Sequence, residues 1–222
     1  MWFHVSLPLL LLVLGTSALD RIMKGATLKI SITHWTANCE GAGTDSDVTL
    51  NLGYVDFHNR LVYAIKTTPQ KGNHGTRFDR FTTAQWNYDV SEYQAVQIEQ
   101  DCFHAASGSQ VLYEDCFRPN LVYYQMYTWW NNWGHAWKPS DAEVYLFAVL
   151  PNGGIYKHFT EFKRERGCDH DWVDGDNDWY FCRDPLPGRR MWTYRGHGLA
   201  KGTKFQCDLA GRKPRRSYKV KN

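Results

Sequence analysis

A short glycine-rich stretch holds the residues of this sequence that are best suited to bind a cation. Residues 41–47 read Gly-Ala-Gly-Thr-Asp-Ser-Asp. Glycine lets the backbone turn so that carbonyl groups point inward, while Thr44, Asp45 and Asp47 supply the hard oxygen atoms that calcium selects. Aspartate also caps turns, because its carboxylate accepts hydrogen bonds from nearby backbone amides. The stretch therefore predicts either a calcium-binding loop or a capped turn.

A second acidic stretch, residues 169–178, contains five aspartates. From Asp174 onward it begins like an EF-hand loop, but this motif requires glycine at position six and glutamate at position twelve. The sequence has Trp179 and Pro185 there. Cys168 and His170 form only a weak metal pair, because the cysteine is expected in a disulfide bond. We therefore interpret this stretch as a solvated acidic loop.

Patterns typical of catalysis are absent from the sequence. It has no Gly-x-Ser-x-Gly nucleophile elbow, no His-Glu-x-x-His pair and no Gly-x-x-x-x-Gly-Lys loop for phosphate. Its nine histidines are scattered along the chain. We therefore expect no enzymatic activity, and a hydrolase that uses His170 and the surrounding aspartates is the weakest alternative.

Four tryptophans lie close together between residues 129 and 137. An indole ring combines an apolar body with a polar edge, so on a loop tip it can insert into a lipid interface or stack on a sugar. Trp129 and Trp130 are consecutive in a predicted strand and should point to opposite faces, so one of them belongs to the core. Trp133 is the candidate for contact with a lipid or a partner, and packing is its alternative.

The charge of the chain is unevenly distributed. The 222 residues include 26 Lys or Arg and 23 Asp or Glu, for a net charge of +3. Eight of the basic residues follow residue 200, against the single acid Asp208, which leaves 18 basic and 22 acidic residues before them. Within the basic tail, Lys213, Arg215 and Arg216 are candidate contacts with phospholipid headgroups, acidic glycans or a partner, and a solubilising tail is the alternative. The acidic body and the predicted export argue against nucleic acid as a partner.

The first 18 residues resemble a secretory signal peptide. Residues 2–18 carry no Lys, Arg, Asp or Glu, and they contain the apolar run Leu-Leu-Leu-Leu-Val-Leu at 9–14. Small residues at 15–18 predict cleavage after Ala18. The apolar run is too short for a membrane span, which needs about 20 residues. We therefore predict a secreted, extracellular protein.

Six cysteines follow the predicted cleavage site, an even number that is typical of disulfide bonds in an exported chain. Short loop closure favours the pairs Cys102 with Cys116 and Cys168 with Cys182. This leaves Cys39 to pair with Cys207, which would hold the C-terminal segment against the fold.

Alternation of apolar and polar residues with a period of two dominates the chain between residues 26 and 165 and predicts half-buried strands. Turn signals separate the strands, the strongest being Pro-Asn-Gly-Gly at 151–154, which predicts a hairpin. We find no helical stripe. The predicted strands are 28–33, 48–54, 60–66, 78–83, 92–99, 120–130, 142–150 and 155–159. Many short strands at regular spacing favour an antiparallel β-sandwich.

Three segments, in order, resemble a PLAT (lipoxygenase-homology) domain. The first is the strand at 28–33 followed by Gly-Ala-Gly-Thr-Asp-Ser-Asp-Val at 41–48. The second is Gly-Thr-Arg-Phe-Asp-Arg-Phe at 75–81, and the third is Asn-Asn-Trp-Gly-His-Ala-Trp-Lys at 131–138 with the strand and hairpin that follow it. The resemblance covers about residues 26–180 and places an insertion around residues 102–116.

This resemblance implies a calcium site on loops at one edge of the sandwich, and it transfers that role to Gly43, Thr44 and Asp45. The complementary loop departs from the family pattern, because Lys-Gly-Asn-His at 71–74 replaces an acidic cluster and leaves Asn73 as its candidate ligand. With so few carboxylates and a nearby lysine, calcium would bind weakly, so a capped turn is favoured. The resemblance also implies that Trp137 is packed and that an exposed aromatic residue serves membrane docking.

Together these features predict an all-β protein, an antiparallel β-sandwich of about eight strands with a disulfide-stapled, irregular C-terminal extension. The predicted segments are a signal peptide (1–18), the sandwich (19–165), a Cys- and Trp-rich extension packed on it (166–210) and a flexible basic tail (211–222). The predicted function is that of a secreted, non-catalytic binding module. It would dock to a lipid surface or an extracellular protein, with calcium as its sole candidate cofactor. A structural matrix protein or a secreted toxin- or defence-associated protein is the alternative.

Overall fold

The computed structural model describes residues 19–44, 46–70, 78–127, 136–163, 168, 172, 173, 177–183, 192–194, 199–205, 207 and 218–220. Within them, ten strands form two antiparallel five-stranded sheets that face each other across the core, and two helices connect β4 to β5. The elements are β1 (Thr27–Thr36), β2 (Asp47–Val55), β3 (Leu61–Ile65), β4 (Thr83–Asp89), α1 (Glu92–Ala105), α2 (Gln110–Cys116), β5 (Leu121–Tyr127), β6 (Pro139–Val149), β7 (Ile155–Phe162), β8 (Asn177–Cys182), β9 (Trp192–Tyr194) and β10 (Tyr218–Val220). The predicted all-β sandwich is confirmed.

The first sheet has the strand order β10-β7-β6-β1-β4 and shows the alternation that the sequence predicts. In β1, Leu28, Ile30 and Ile32 are buried, whereas the residues between them face the outer side of the sheet. The predicted hairpin joins β6 to β7, and Gly153 has a φ of 80°, a conformation that glycine adopts without steric cost. One side of this sheet therefore lines the core and the other is exposed to solvent.

The second sheet has the order β3-β2-β5-β8-β9, and its strand β2 is buried on both faces, which corrects the prediction that β2 is half-buried. Thr49 and Asn51, which alternate with the core residues of β2, are themselves buried. Farther along the same outer face, Phe205 and the disulfide-bonded Cys207 pack on a second apolar cluster with Leu121. The side chain of Asn51 accepts a hydrogen bond from the N–H of Thr67 and donates one to the side chain of Gln125. Because these contacts and the packing of Phe205 come from other segments of the chain, local alternation in β2 cannot predict them.

The prediction of a strand at 92–99 is wrong, because these residues begin α1. Ser91 caps the helix through a side-chain oxygen that accepts a hydrogen bond from the backbone N–H of Gln94. The buried residues Ala95, Ile98, Glu99 and Cys102 recur at helical spacing along one face. Both helices lie in or beside the predicted insertion, and neither is both long and apolar enough to cross a membrane among the described residues.

The predicted strand at 78–83 is also wrong, because a turn occupies residues 78–82 and β4 begins at Thr83. The backbone carbonyl of Asp79 accepts hydrogen bonds from both the N–H and the hydroxyl of Thr82. Phe81 has a φ of 60°, in the left-handed region. This backbone reversal cannot continue a strand.

Three disulfide bonds connect the six cysteines. The predicted bond between Cys102 and Cys116 is confirmed, and it joins α1 to the end of α2. The other two predicted pairs are wrong: Cys39 is bonded to Cys168, and Cys182 to Cys207. The bond between Cys182 and Cys207 holds residue 207 beside β8. The sequence predicts irregular structure in this region, whereas β8 is a strand of the second sheet that pairs with β5. Three disulfide bonds are typical of proteins in oxidising compartments.

One buried histidine makes the stability of the sandwich depend on pH. His158 on β7 is fully buried, and neither ring nitrogen has a hydrogen-bond partner among the described residues. Burial, and to a smaller extent the charge of Arg118, lowers the pKa of His158 from 6.5 to about 3. Between these two values the unfolded chain binds a proton that the folded chain excludes, so the folded state loses stability as the pH falls.

The titration of His158 should make the folding equilibrium constant of the native protein depend on pH. We expect this constant to fall by up to about tenfold for each decrease of one pH unit between pH 6 and pH 4. His158→Leu should flatten that pH dependence, measured by urea unfolding at several pH values. The matched control is His58→Leu, which replaces an exposed histidine. Equal slopes for the native protein and His158→Leu would contradict this expectation.

Candidate functional site

Two loops pack against each other at one end of the sandwich, where β1 ends and where β2 and β4 begin. We call residues 37–44 and 78–82 the rim. The backbone N–H of Ala37 donates to the carbonyl of Lys138, and the N–H of Lys138 donates to the carbonyl of Ala42. The N–H of Thr44 donates to the carbonyl of Phe78. These hydrogen bonds fix both loops to the start of β6.

Gly43 is required by the close contact between the two rim loops. A Cβ atom at this position would lie 3.1 Å from the carbonyl oxygen of Phe78 and 3.2 Å from the Cα of Asp79. Both atoms belong to the backbone, so neither can move aside as a flexible side chain would. The glycine therefore has a packing role that does not depend on a bound ion.

The structure describes three of the five residues predicted to bind calcium. Thr44 is buried, and its hydroxyl accepts a hydrogen bond from the N–H of Ser46 and lies 3.7 Å from the Sδ atom of Met126. Gly43 and Asp47 are half-buried, and Asp47 begins β2. Asp45 and Asn73 lie outside the described residues. Within the described part of the chain, no three His, Cys, Asp or Glu side chains are grouped closely enough to hold a metal ion.

An aromatic cluster supports the rim from below. Trp137 is fully buried and makes edge contacts with Phe78, His34 and Tyr124, at ring-centroid distances of 5.2, 4.7 and 5.4 Å. Its indole N–H donates to the hydroxyl oxygen of Thr36 over 3.2 Å. The packed position of Trp137 that the resemblance implies is therefore confirmed. The rim packs on this aromatic cluster through Phe78.

Phe81 is the most unusual residue of the rim. Its side chain is 77% exposed, although phenylalanine is usually buried, and its backbone lies in the left-handed region that bulky residues avoid. The backbone N–H of Phe81 donates to the carbonyl of Ala37, and the neighbouring Arg80 donates from Nε to the side chain of Asn38 over 2.8 Å. The loop thus holds an apolar ring in solvent at a backbone cost of about 1–3 kcal/mol.

A groove of about 600 Å³ lies beside Phe81 on the exposed face of the first sheet. Trp35 at the end of β1 lines it together with Phe81, and three carboxylates line it from β6 and β7: Asp141, Glu143 and Glu161. A groove of this volume is within the range of small-molecule sites. Its walls combine aromatic rings with negative charge.

The remaining predicted contacts lie outside the described residues: Trp133 and the basic residues Lys213, Arg215 and Arg216. The sequence pattern indicates neither the exposure of Phe81 nor the groove beside it. It assigned residues 78–83 to a strand, in which Phe81 would alternate with its neighbours. Asp141, Glu143 and Tyr145 alternate with the buried residues of β6. This alternation in the sequence indicates that the three residues lie on the exposed face of the sheet.

Comparison with known proteins finds distant structural similarity and no sequence relative. Neither a family model nor a curated protein matches the chain. The alpha toxin from Clostridium absonum is similar over 70% of this chain and 31% of the toxin chain, at 14% sequence identity and a TM-score of 0.40. A LOX variant is similar over 70% of this chain and 16% of its own, at 14% identity and a TM-score of 0.37. This chain thus spans less than a third of the length of either protein.

Proposed function

We propose that the protein is a secreted, non-catalytic binding module that docks to a lipid surface through its rim. The three disulfide bonds and the apolar leader with predicted cleavage after Ala18 support export. The resemblance of three sequence segments to a PLAT domain supports a docking role. Calcium binding by Thr44, Asp45 and Asp47 is a separate part of this proposal, and the inward-facing hydroxyl of Thr44 does not favour it.

The observation that carries the proposal is the exposure of Phe81 on a braced loop. An exposed ring adds little to the stability of the fold, and its left-handed backbone conformation is unfavourable. Hydrogen bonds from Phe81 to Ala37 and from Thr82 to Asp79 hold the backbone in this conformation. Inserting the ring into a membrane interface would transfer its apolar surface out of water. Full burial of a phenylalanine side chain is worth about 1.5–3 kcal/mol.

The proposal predicts that Phe81→Ser weakens binding to vesicles by about tenfold or more, which follows from the lost transfer free energy. Binding is measured by flotation with vesicles of phosphatidylcholine, alone and mixed with phosphatidylserine, each with and without calcium. A dependence on calcium in the native protein would test the metal part of the proposal separately.

The chain offers a matched control in Tyr93, whose side chain is also 77% exposed. Tyr93 lies on α1, beyond the far end of β4 from Phe81, so it is about 20 Å or more from the rim. Tyr93→Ser should change vesicle binding by less than about twofold. The absence of binding to either kind of vesicle, or equal losses in the two variants, would reject docking to lipid through the rim.

A further inference from the structure

We propose that the groove beside Phe81 binds a quaternary ammonium group, held between the aromatic rings of Trp35 and Phe81 and the carboxylates of β6 and β7. This inference goes beyond the proposed function, because it assigns a ligand chemistry to a site on the exposed sheet face. Phe81 contributes both to the docking tip and to the groove, so the decisive variants are at other residues and the titration uses no membrane.

The alternation of the first sheet places the groove residues on one surface. In β1, Trp35 follows the inward-facing His34 and is half-buried on the outer side. In the paired strands β6 and β7, Glu143 lies directly opposite Glu161. Like charges in directly opposed positions of an antiparallel pair destabilise each other. A bound cation would relieve this repulsion.

The carboxylate of Glu161 forms an ion pair with a neighbouring lysine. Lys163 lies 3.3 Å from Glu161, and both side chains of this pair are largely exposed, so the ion pair is weak. None of the described residues that line the groove is a lysine or an arginine. The groove is therefore electronegative and favours a ligand with a positive charge.

The arrangement of the carboxylates selects a bulky cation over a metal ion. Calcium needs six to eight oxygen atoms that converge at about 2.3–2.6 Å. The groove carboxylates do not form such a group, because no three acidic, histidine or cysteine side chains of the described residues are close enough together to hold a metal ion. Carboxylates that are spread along a groove of about 600 Å³ suit a cation whose charge is itself spread over several methyl groups.

Aromatic faces attract lysine, arginine and quaternary ammonium groups alike, so the arrangement of the carboxylates has to distinguish between them. A primary ammonium or a guanidinium needs converging hydrogen-bond acceptors for its N–H groups. A quaternary ammonium has no N–H group, and proteins recognise it by the faces of aromatic rings together with nearby negative charge. Trp35 and Phe81 supply the rings, and Asp141, Glu143 and Glu161 supply the charge.

The test is a calorimetric titration of the full chain with choline in the absence of lipid. We expect saturable binding with a Kd on the order of 1–30 mM, because one or two partly exposed cation–π contacts supply only about 1–2 kcal/mol and the nearby carboxylates add the rest. The neutral isostere of choline, in which a tert-butyl group replaces the trimethylammonium group, should bind about tenfold more weakly or worse. Glu143→Gln should lower the affinity for choline by about threefold to tenfold. The exposed Glu92 on α1 provides the control Glu92→Gln, which should leave the affinity unchanged.

Two results would overturn the inference. One is the absence of saturable choline binding, or equal binding of choline and its neutral isostere, by a native protein that shows a cooperative thermal transition. The other is tighter binding of a lysine-rich peptide than of choline, in a manner that depends on Glu143.

If choline binds, a second experiment identifies the source of the group. A preference for phosphatidylcholine over phosphatidylethanolamine vesicles identifies a lipid headgroup, and equal binding to both identifies a free ligand. Vesicle docking can fail in either case without affecting the titration.

Discussion

Replacing Trp137 with alanine should lower the free energy of unfolding by about 3–5 kcal/mol, the usual cost of removing a large aromatic side chain from a core. Trp137 is fully buried beneath the rim and contacts the rings of Phe78, His34 and Tyr124. Its loss would leave a cavity and would deprive the hydroxyl of Thr36 of an indole donor. Since domains are stable by only about 5–15 kcal/mol, this change removes a large part of the total. The measurement is urea unfolding followed by far-UV circular dichroism.

Two further variants show whether the loss comes from the cluster. Trp137→Phe keeps an aromatic ring but loses the hydrogen bond to Thr36, so it should cost about 1–2 kcal/mol. Phe57→Ala removes a phenylalanine that is 41% exposed and lies in the turn after β2, so it should cost less than about 1 kcal/mol. A loss below about 1 kcal/mol for Trp137→Ala would show that the cluster does not support the rim.

Removing the disulfide bond between Cys39 and Cys168 should lower the free energy of unfolding by about 5 kcal/mol, because the cross-link restricts the conformational freedom of the unfolded chain. The two cysteines are separated by 129 residues, so the bond closes a very long loop. It also fixes the rim, because Cys39 packs with Ala37 and Ala42 against Trp172. The double variant Cys39→Ala/Cys168→Ala, compared with the native protein in guanidinium chloride under non-reducing conditions, measures the effect.

The bond between Cys102 and Cys116 provides the comparison, because it closes a loop of only 14 residues. The same dependence of chain entropy on loop length gives this bond a contribution of about 3 kcal/mol. Peptide mapping of the unreduced native protein should recover Cys39 linked to Cys168. Recovery of Cys39 linked to Cys207, or a smaller loss for the long loop than for the short one, would contradict this account of the rim.

The class of fold could be predicted from the sequence because its signals are local. The alternation in β1 and β6 and the hairpin at residues 151–154 depend on neighbours along the chain, and the structure confirms each of them. The helix α1 was missed because residues 92–99 also fit an alternating pattern over a short window. The capping Ser91 and the spacing of Ala95, Ile98 and Cys102 indicate a helix once they are considered together.

Long-range features could not be predicted in the same way. The disulfide pairing depends on which strands lie side by side, and proximity along the chain misassigned Cys182 because β8 pairs with β5 beside residue 207. The sequence indicates the loop at 41–47 as a candidate site, and that assignment stays a prediction. The role of Phe81 depends on a backbone reversal, and the groove depends on the register of β6 with β7. Neither leaves a pattern within one segment of the sequence.

Hydrogen–deuterium exchange with and without phosphatidylcholine–phosphatidylserine vesicles tests most directly whether the rim is the docking surface. The account predicts that amides of residues 78–82 become protected when vesicles are added, whereas amides of α1 around Tyr93 exchange at the same rate in both conditions. Protection centred on α1, or vesicle binding with no change at residues 78–82, would contradict it.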